Sequence, residues 1–323
     1  MLKKWLPWAV KLSLSALIVW YLFDKVDLGA AWQRGKGIDL AMLSIAVIFM
    51  VAQVGVATWR WMAVIKAMEA PLGFAGAFRI MFIGLFFNLV LPSSVGGDAV
   101  RMWKARKAGL SLSESVNSVM LERLITVLGL VFLVVITEPL LFSRINDTMA
   151  LLTFPALAIC GIAGTIFLMY LDRLPESWRR WKLVRGLGML AADTRKLFLH
   201  PGYAAKALGI SMFGHANISL IAWIIARGLN IDITIIDCLV LIPPVMLITT
   251  LPISIAGWGV REGAMVAILG FVGVAADASL VLSVIFGLVS TVACLPGGVI
   301  WLISSDRKEA LEAAETEVKT EAA

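Results

Sequence analysis

Eight apolar runs divide this chain of 323 residues, at roughly 5–22, 38–58, 77–96, 115–137, 149–171, 207–227, 235–256 and 278–303. A bilayer core about 30 Å thick is crossed by about 20 consecutive apolar residues in a helix. Each run is close to that length, and only helices or closed barrels satisfy their own backbone polar groups in lipid. A barrel needs alternation with a period of two, and these runs are apolar throughout. The sequence therefore predicts an all-α polytopic membrane protein. Composition agrees: 60% of residues are hydrophobic and 15% charged, against about 45–50% and about 25% in soluble domains.

The first run is read as a transmembrane helix. Lys3, Lys4 and Lys11 resemble the basic start of a signal peptide, but no small-residue cleavage site succeeds the apolar stretch. Cys160, Cys238 and Cys294 lie far apart within apolar runs and form neither a disulfide nor a metal pattern. The net charge of +6 does not point to nucleic acid, because the basic residues sit in short loops between runs, where they set topology. The longest loop, 172–206, carries Trp178 and Trp181 beside Arg179, Arg180, Lys182 and Arg185. It reads equally as an interfacial amphipathic helix or a solvated loop. Residues 1–304 are read as one integral membrane domain and 305–323 as a short acidic cytoplasmic tail.

An internal repeat refines this outline. Leu91-Pro92-Ser93-Ser94-Val95-Gly96-Gly97-Asp98-Ala99-Val100-Arg101 aligns without gaps on Leu251-Pro252-Ile253-Ser254-Ile255-Ala256-Gly257-Trp258-Gly259-Val260-Arg261, offset by 160, with 6 of 11 positions identical. Both copies interrupt an apolar run, and the two repeat motifs extend over 88–123 and 251–287. If all eight runs cross the membrane, the better orientation puts 16 Lys/Arg on one side and 11 on the other. If runs three and seven dip in and return, 21 fall inside and 6 outside, with Arg123 inside a span. The positive-inside rule favours the second arrangement. It gives six full spans plus two re-entrant hairpins, with both termini cytoplasmic. Three spans separate the motifs, so the second is inverted relative to the first, an arrangement that places transporter substrates near the bilayer midplane.

Within the first motif Pro92 breaks the helix, Ser93 and Ser94 can cap the next helical segment, and Gly96 and Gly97 permit a sharp turn or close approach. Asp98 and Arg101 are ionisable groups at the end of an apolar run. Irregular backbone at membrane depth requires burial in protein or a water-filled cavity. A helix restarting after the break offers free N–H groups to a phosphate, and Arg101 can reach the same anion with two donors. The second motif keeps Pro252, Ser254, Gly257, Gly259 and Arg261, has Trp258 in place of Asp98, and adds Glu262. Charges in a membrane are costly and tend to be paired and functional. Asp98 and Glu262 are therefore expected to balance Arg101, Arg261 or Arg123 across the cavity and to take up a proton. Glu122 and Arg123 are adjacent on one helix and do not face each other, so each is expected to find a partner elsewhere. Asn88 either bonds a head group or satisfies a hairpin carbonyl. Gln53 is read as an interhelical hydrogen bond, and His200 and His215 as structural.

The string from Asn88 to Arg101, the Leu121-Glu122-Arg123 of the next run, and Pro252 through Glu262-Gly263 resemble the lysylphosphatidylglycerol synthase transmembrane-region, or flippase-like, family, over about 5–303. The resemblance implies a multi-pass protein of the cell inner membrane. It also implies that the important polar positions correspond to Asp98, Arg101, Glu122, Arg123, Arg261 and Glu262. The synthases carry a tRNA-dependent aminoacyl-transferase domain after this region, whereas this chain stops at Ala323, so it is not expected to make lysylphosphatidylglycerol. Its expected partner is a membrane lipid, either an anionic phospholipid or a polyprenyl-phosphate-linked molecule. A lipid-modifying enzyme and a second copy of the chain are further candidates, and no cofactor or metal is expected.

The residues admit three function classes. A flippase would use both re-entrant motifs and, lacking a Walker motif, would draw on a proton, an ion or the lipid gradient. An intramembrane phosphatase or transferase would need paired histidines or converging acids, which His200, His215, Asp232 and Asp237 do not supply. An accessory subunit of a lipid-modifying enzyme would share the membrane fold. Transbilayer movement of a lipid, with no catalytic residues, is the expectation.

Overall fold

Helix boundaries obey local chemistry where the chain enters and leaves the apolar runs. The computed structural model describes residues 28–90, 96–141, 197–250 and 257–304, together with 159, 163, 164, 166, 167, 191 and 193–195. Helix α1 is Leu28–Lys36, α2 Leu40–Ala67, α3 Phe74–Val90, α4 Gly96–Lys107, α5 Leu112–Leu141, α6 Pro201–Gly228, α7 Ile235–Thr249, α8 Val260–Leu269 and α9 Ala276–Leu302, with a short 3₁₀ turn at Gly270–Val272. The described residues contain no strand. Asp39 caps α2 by accepting from the N–H of Ala41 at 2.7 Å, and Thr234 and Asp237 form a reciprocal capping box at the start of α7. Gly257 and Gly259, at φ 81° and 86°, carry the chain into α8 through a backbone region that costs glycine little. Pro139, Pro243, Pro244 and Pro296 lie inside helices, as neighbouring helices in a membrane permit.

Among the described residues, four helices are long and apolar enough to cross a membrane: Leu40–Ala67, Leu112–Thr137, Gly202–Gly228 and Ala276–Leu302. They correspond to the second, fourth, sixth and eighth runs of the sequence. The third and seventh runs form shorter helices, 17 residues in α3 and 15 in α7. At 1.5 Å per residue these reach about 25 Å and about 22 Å, short of a bilayer core of about 30 Å. Within the described residues these helices extend to Val90 and to Thr249. The first run, nearly all of the fifth, the basic 172–190 stretch and the acidic tail lie outside the described residues, as do Pro92, Ser94, Pro252 and Ser254.

After α3 the chain turns back on itself. Asn88 Oδ1 accepts from the Gly97 N–H at 3.0 Å. Further along, a Cβ on Gly97 would overlap the Gly84 carbonyl, and one on Gly84 would overlap the Arg101 side chain. Pairs 88/97 and 84/101 share one sum, so α4 runs antiparallel to α3 at backbone contact. Bulk apolar packing does not hold membrane helices together, because lipid is equally apolar; small residues and polar bonds do. The same device recurs between α2 and α6, where Gln53 Oε1 accepts from Asn217 Nδ2 at 2.8 Å. It recurs again between α3 and α9, where Gly297 lies against the Phe82 carbonyl. The expected interhelical role of Gln53 is the one observed.

Candidate functional site

The α3–α4 hairpin delivers Asp98 and Arg101 to the middle of an ion cluster completed by α2 and α5. Glu122, on α5, is 2% exposed. Its Oε1 accepts from Arg60 Nε at 2.8 Å and Nη2 at 2.5 Å, and its Oε2 accepts from Arg101 Nη1 at 3.1 Å. Arg101 Nη1 also reaches Asp98 Oδ1 at 3.3 Å. Arg123 grips Asp98 with two parallel bonds, Nε to Oδ2 at 2.8 Å and Nη2 to Oδ1 at 2.9 Å. Glu122 and Arg123 thus face different partners, as their adjacency on one helix requires. The cluster runs from buried Glu122 to the Arg123 side chain, which is 43% exposed.

Two features set this cluster apart from a closed structural network. Among the described residues, three guanidinium groups (Arg60, Arg101, Arg123) meet two carboxylates (Asp98, Glu122), leaving one positive charge in excess. Arg101 is also only partly satisfied: its Nε and Nη2 are buried without a hydrogen-bond partner among the described residues, as is Trp61 Nε1. The Arg101 guanidinium lies 4.6 Å from the Trp61 ring centroid. The orphaned groups on this stacked pair are therefore all donors. Buried donors without partners are rare and costly, and several donors beside an excess positive charge suit an oxyanion.

The second motif is built differently. Arg261 Nη2 bonds Glu262 Oε1 at 2.7 Å, Arg261 Nε donates to Ser283 Oγ at 3.1 Å, and Ser283 Oγ donates to the same Glu262 oxygen at 3.1 Å. Glu262 Oε2 accepts from the Gly259 N–H at 2.6 Å, closing the first turn of α8. The Arg261 guanidinium stacks on Trp258 at 4.8 Å and fills the space over Gly287, where a Cβ would overlap it. This cluster is electrically neutral. No pairing between the two motifs is found among the described residues. The expected balance of acids and arginines across a cavity gives way to separate clusters, Asp98 bonding Arg101 and Arg123 and Glu262 bonding Arg261.

A cavity of about 290 Å³ lies among α2, α3, α5, α6, α7 and α9. Gln53, Arg60, Thr126, His215, Thr249, Thr250 and Ser290 supply its polar lining. Arg60 joins it to the first cluster, while Thr249 and Thr250 end the helix that leads into the second motif. His215 Nε2 bonds the Thr126 carbonyl at 3.0 Å, a structural role. Asn88 is engaged in the hairpin, but by accepting from the Gly97 N–H rather than by donating to a hairpin carbonyl. Arg60, Trp61, Ser283 and Gly287 were not singled out from sequence. Arg60 carried one available signal, a charge just past the expected end of the second run, inside what is in fact a longer helix. No group of three or more His, Cys, Asp or Glu suited to a metal occurs among the described residues.

The model of the family described as "Lysylphosphatidylglycerol synthase TM region" matches residues 8–298. No curated protein matches the chain.

Proposed function

We propose, from the premise that the chain belongs to the lysylphosphatidylglycerol synthase TM region family, that it moves an anionic lipid between the leaflets of the cell inner membrane. The family makes it a membrane domain related to lipid handling. The finer reading is carried by one observation: the buried, half-satisfied guanidinium of Arg101 in a cluster with surplus positive charge. A phosphate head group supplies the acceptors that Arg101 and Trp61 lack, and planar guanidinium forks match phosphate geometry. The neighbouring cavity of about 290 Å³ leaves room for a head group while acyl chains stay in lipid. The short α3 and α7, each succeeded by a second short helix, support two re-entrant hairpins in inverted repeat. On that view the open first cluster and the closed second cluster are one conformer of an alternating pair, exchanged by rocking one repeat against the other. The substrate class is an anionic phospholipid or a polyprenyl-phosphate-linked molecule.

The test is reconstitution of the full chain in liposomes carrying a fluorescent anionic phospholipid, with leaflet exchange read by a membrane-impermeant quencher. Exchange is expected to exceed that of protein-free vesicles and to fall by roughly tenfold or more in Arg101→Lys, which keeps the charge but loses the fork. Absence of exchange for phospholipid and polyprenyl-phosphate probes alike would refute transport. Unchanged exchange in Arg101→Lys and Arg101→Ala would refute the assigned seat.

A further inference from the structure

The cavity beside Arg60 carries more hydrogen-bonding capacity than its own walls use. Thr126, Thr249 and Thr250 spend their hydroxyl protons on helix carbonyls, those of Glu122, Met246 and Leu247. Three other lining groups do not. Gln53 Oε1 accepts from Asn217 Nδ2 at 2.8 Å, which leaves the Gln53 Nε2 amide as a donor with no partner among the described residues. His215 Nε2 bonds the Thr126 carbonyl at 3.0 Å. A carbonyl only accepts, so Nε2 carries the proton, and Nδ1 of the neutral ring is left as an acceptor. Ser290, on α9, is half-buried in the lining, and its hydroxyl bonds nothing among the described residues. Two donors flank one spot on α6: a Cβ at Gly214 would lie 3.1 Å from Gln53 Nε2 and 3.7 Å from Arg60 Nη1, and the next residue is His215. Arg60 shares its charge with Glu122 and is the one permanently charged residue of the lining among the described residues.

We propose that this cavity selects its lipid by the hydroxyls of the head group: the occupant is a glycerol or a sugar esterified to the lipid phosphate, bonded by Gln53, His215 and Ser290. The assignment rests on the seat proposed above for the phosphate at Arg101 and Trp61, and adds what lies beyond the phosphate. A hydroxyl both donates and accepts, which suits a lining of one amide donor, one imidazole acceptor and one serine. An ammonium offers no acceptor to Gln53 and meets no carboxylate on the described lining, while Arg60 opposes its charge. A methyl ester of the same phosphate keeps the charge and leaves all three groups unpaired. Sites built to hydrogen-bond a hydroxyl discriminate against analogues that lack it, since their own buried polar groups are then stranded.

Native mass spectrometry of the detergent-solubilised full chain tests the assignment with two lipid pairs. Phosphatidylglycerol is compared with phosphatidylmethanol, and mannosyl polyprenyl phosphate with the methyl ester of polyprenyl phosphate. Within each pair the phosphodiester charge is the same and only the hydroxyls differ. In at least one pair the hydroxylated lipid is expected to bind about tenfold more tightly, as two net hydrogen bonds imply, and the pair with the larger ratio identifies the source of the hydroxyls. Ser290→Ala removes a hydroxyl that bonds nothing among the described residues, so the fold is retained, and is expected to cut the ratio about threefold. Arg101→Lys is expected to weaken both members of a pair and leave their ratio unchanged. A ratio near one in both pairs overturns the assignment, as does a ratio unmoved in both Ser290→Ala and Gln53→Leu. Phosphatidylethanolamine binding as tightly as the preferred lipid overturns it too. A hydroxyl-dependent ratio in a protein that gives no leaflet exchange refutes transport and leaves the head-group assignment in place, whereas exchange without such a ratio does the reverse.

Discussion

Glu122→Gln keeps the side-chain shape and removes one of the two negative charges that hold three arginines together. The native balance of one excess positive charge becomes two. Glu122 accepts from Arg60 at 2.8 and 2.5 Å and from Arg101 at 3.1 Å. Arg60 is 7% exposed and Arg101 3%, so bulk solvent screens the uncompensated charges poorly. Breaking one buried ion pair by removing a partner costs about 3–5 kcal/mol. Glu122 serves two buried arginines, which puts the loss at the upper end, about three to four orders of magnitude in the folded-to-unfolded ratio. Arg60→Met/Glu122→Gln removes a cation with the anion and restores the original surplus. It is expected to recover about 2 kcal/mol relative to Glu122→Gln alone, within the range seen for directly coupled pairs. The assay is equilibrium unfolding in detergent micelles, monitored by tryptophan fluorescence. A Glu122→Gln protein within about 1 kcal/mol of the parent, or a double variant less stable than the single one, would refute the account of the cluster as a charge-coupled unit.

Two further predictions concern packing and the second motif. Gly97→Ala places a Cβ into the Gly84 carbonyl and is expected to destabilise the α3–α4 hairpin by about 1–3 kcal/mol. Gly55→Ala, where nothing lies within 4 Å, is expected to be neutral or stabilising by up to about 1 kcal/mol; thermal unfolding of the two proteins side by side checks the contrast. Ser283→Ala removes the hydroxyl bridging Arg261 and Glu262. A loss of about 1–2 kcal/mol is expected, with Ser283→Thr retaining most of the stability in the same measurement.

Run length, charge bias and the offset repeat made the membrane class, the positions of the long helices and the interest of Asp98, Arg101, Glu122, Arg123, Arg261 and Glu262 readable from residues alone. These are local properties: hydropathy over one turn after another, a proline that cannot continue a helix, a charge that lipid will not tolerate unpaired. Pairing is not local. Glu122 meets Arg60 across 62 positions of sequence, because helix rotation and the close approach of α2, α4 and α5 decide which side chains face inward. The same packing left Arg101 with donors to spare and closed Arg261 onto Ser283 and Glu262. Two motifs nearly alike in sequence therefore differ in chemistry, since the surplus charge of the first and the neutrality of the second depend on the side chains that neighbouring helices contribute.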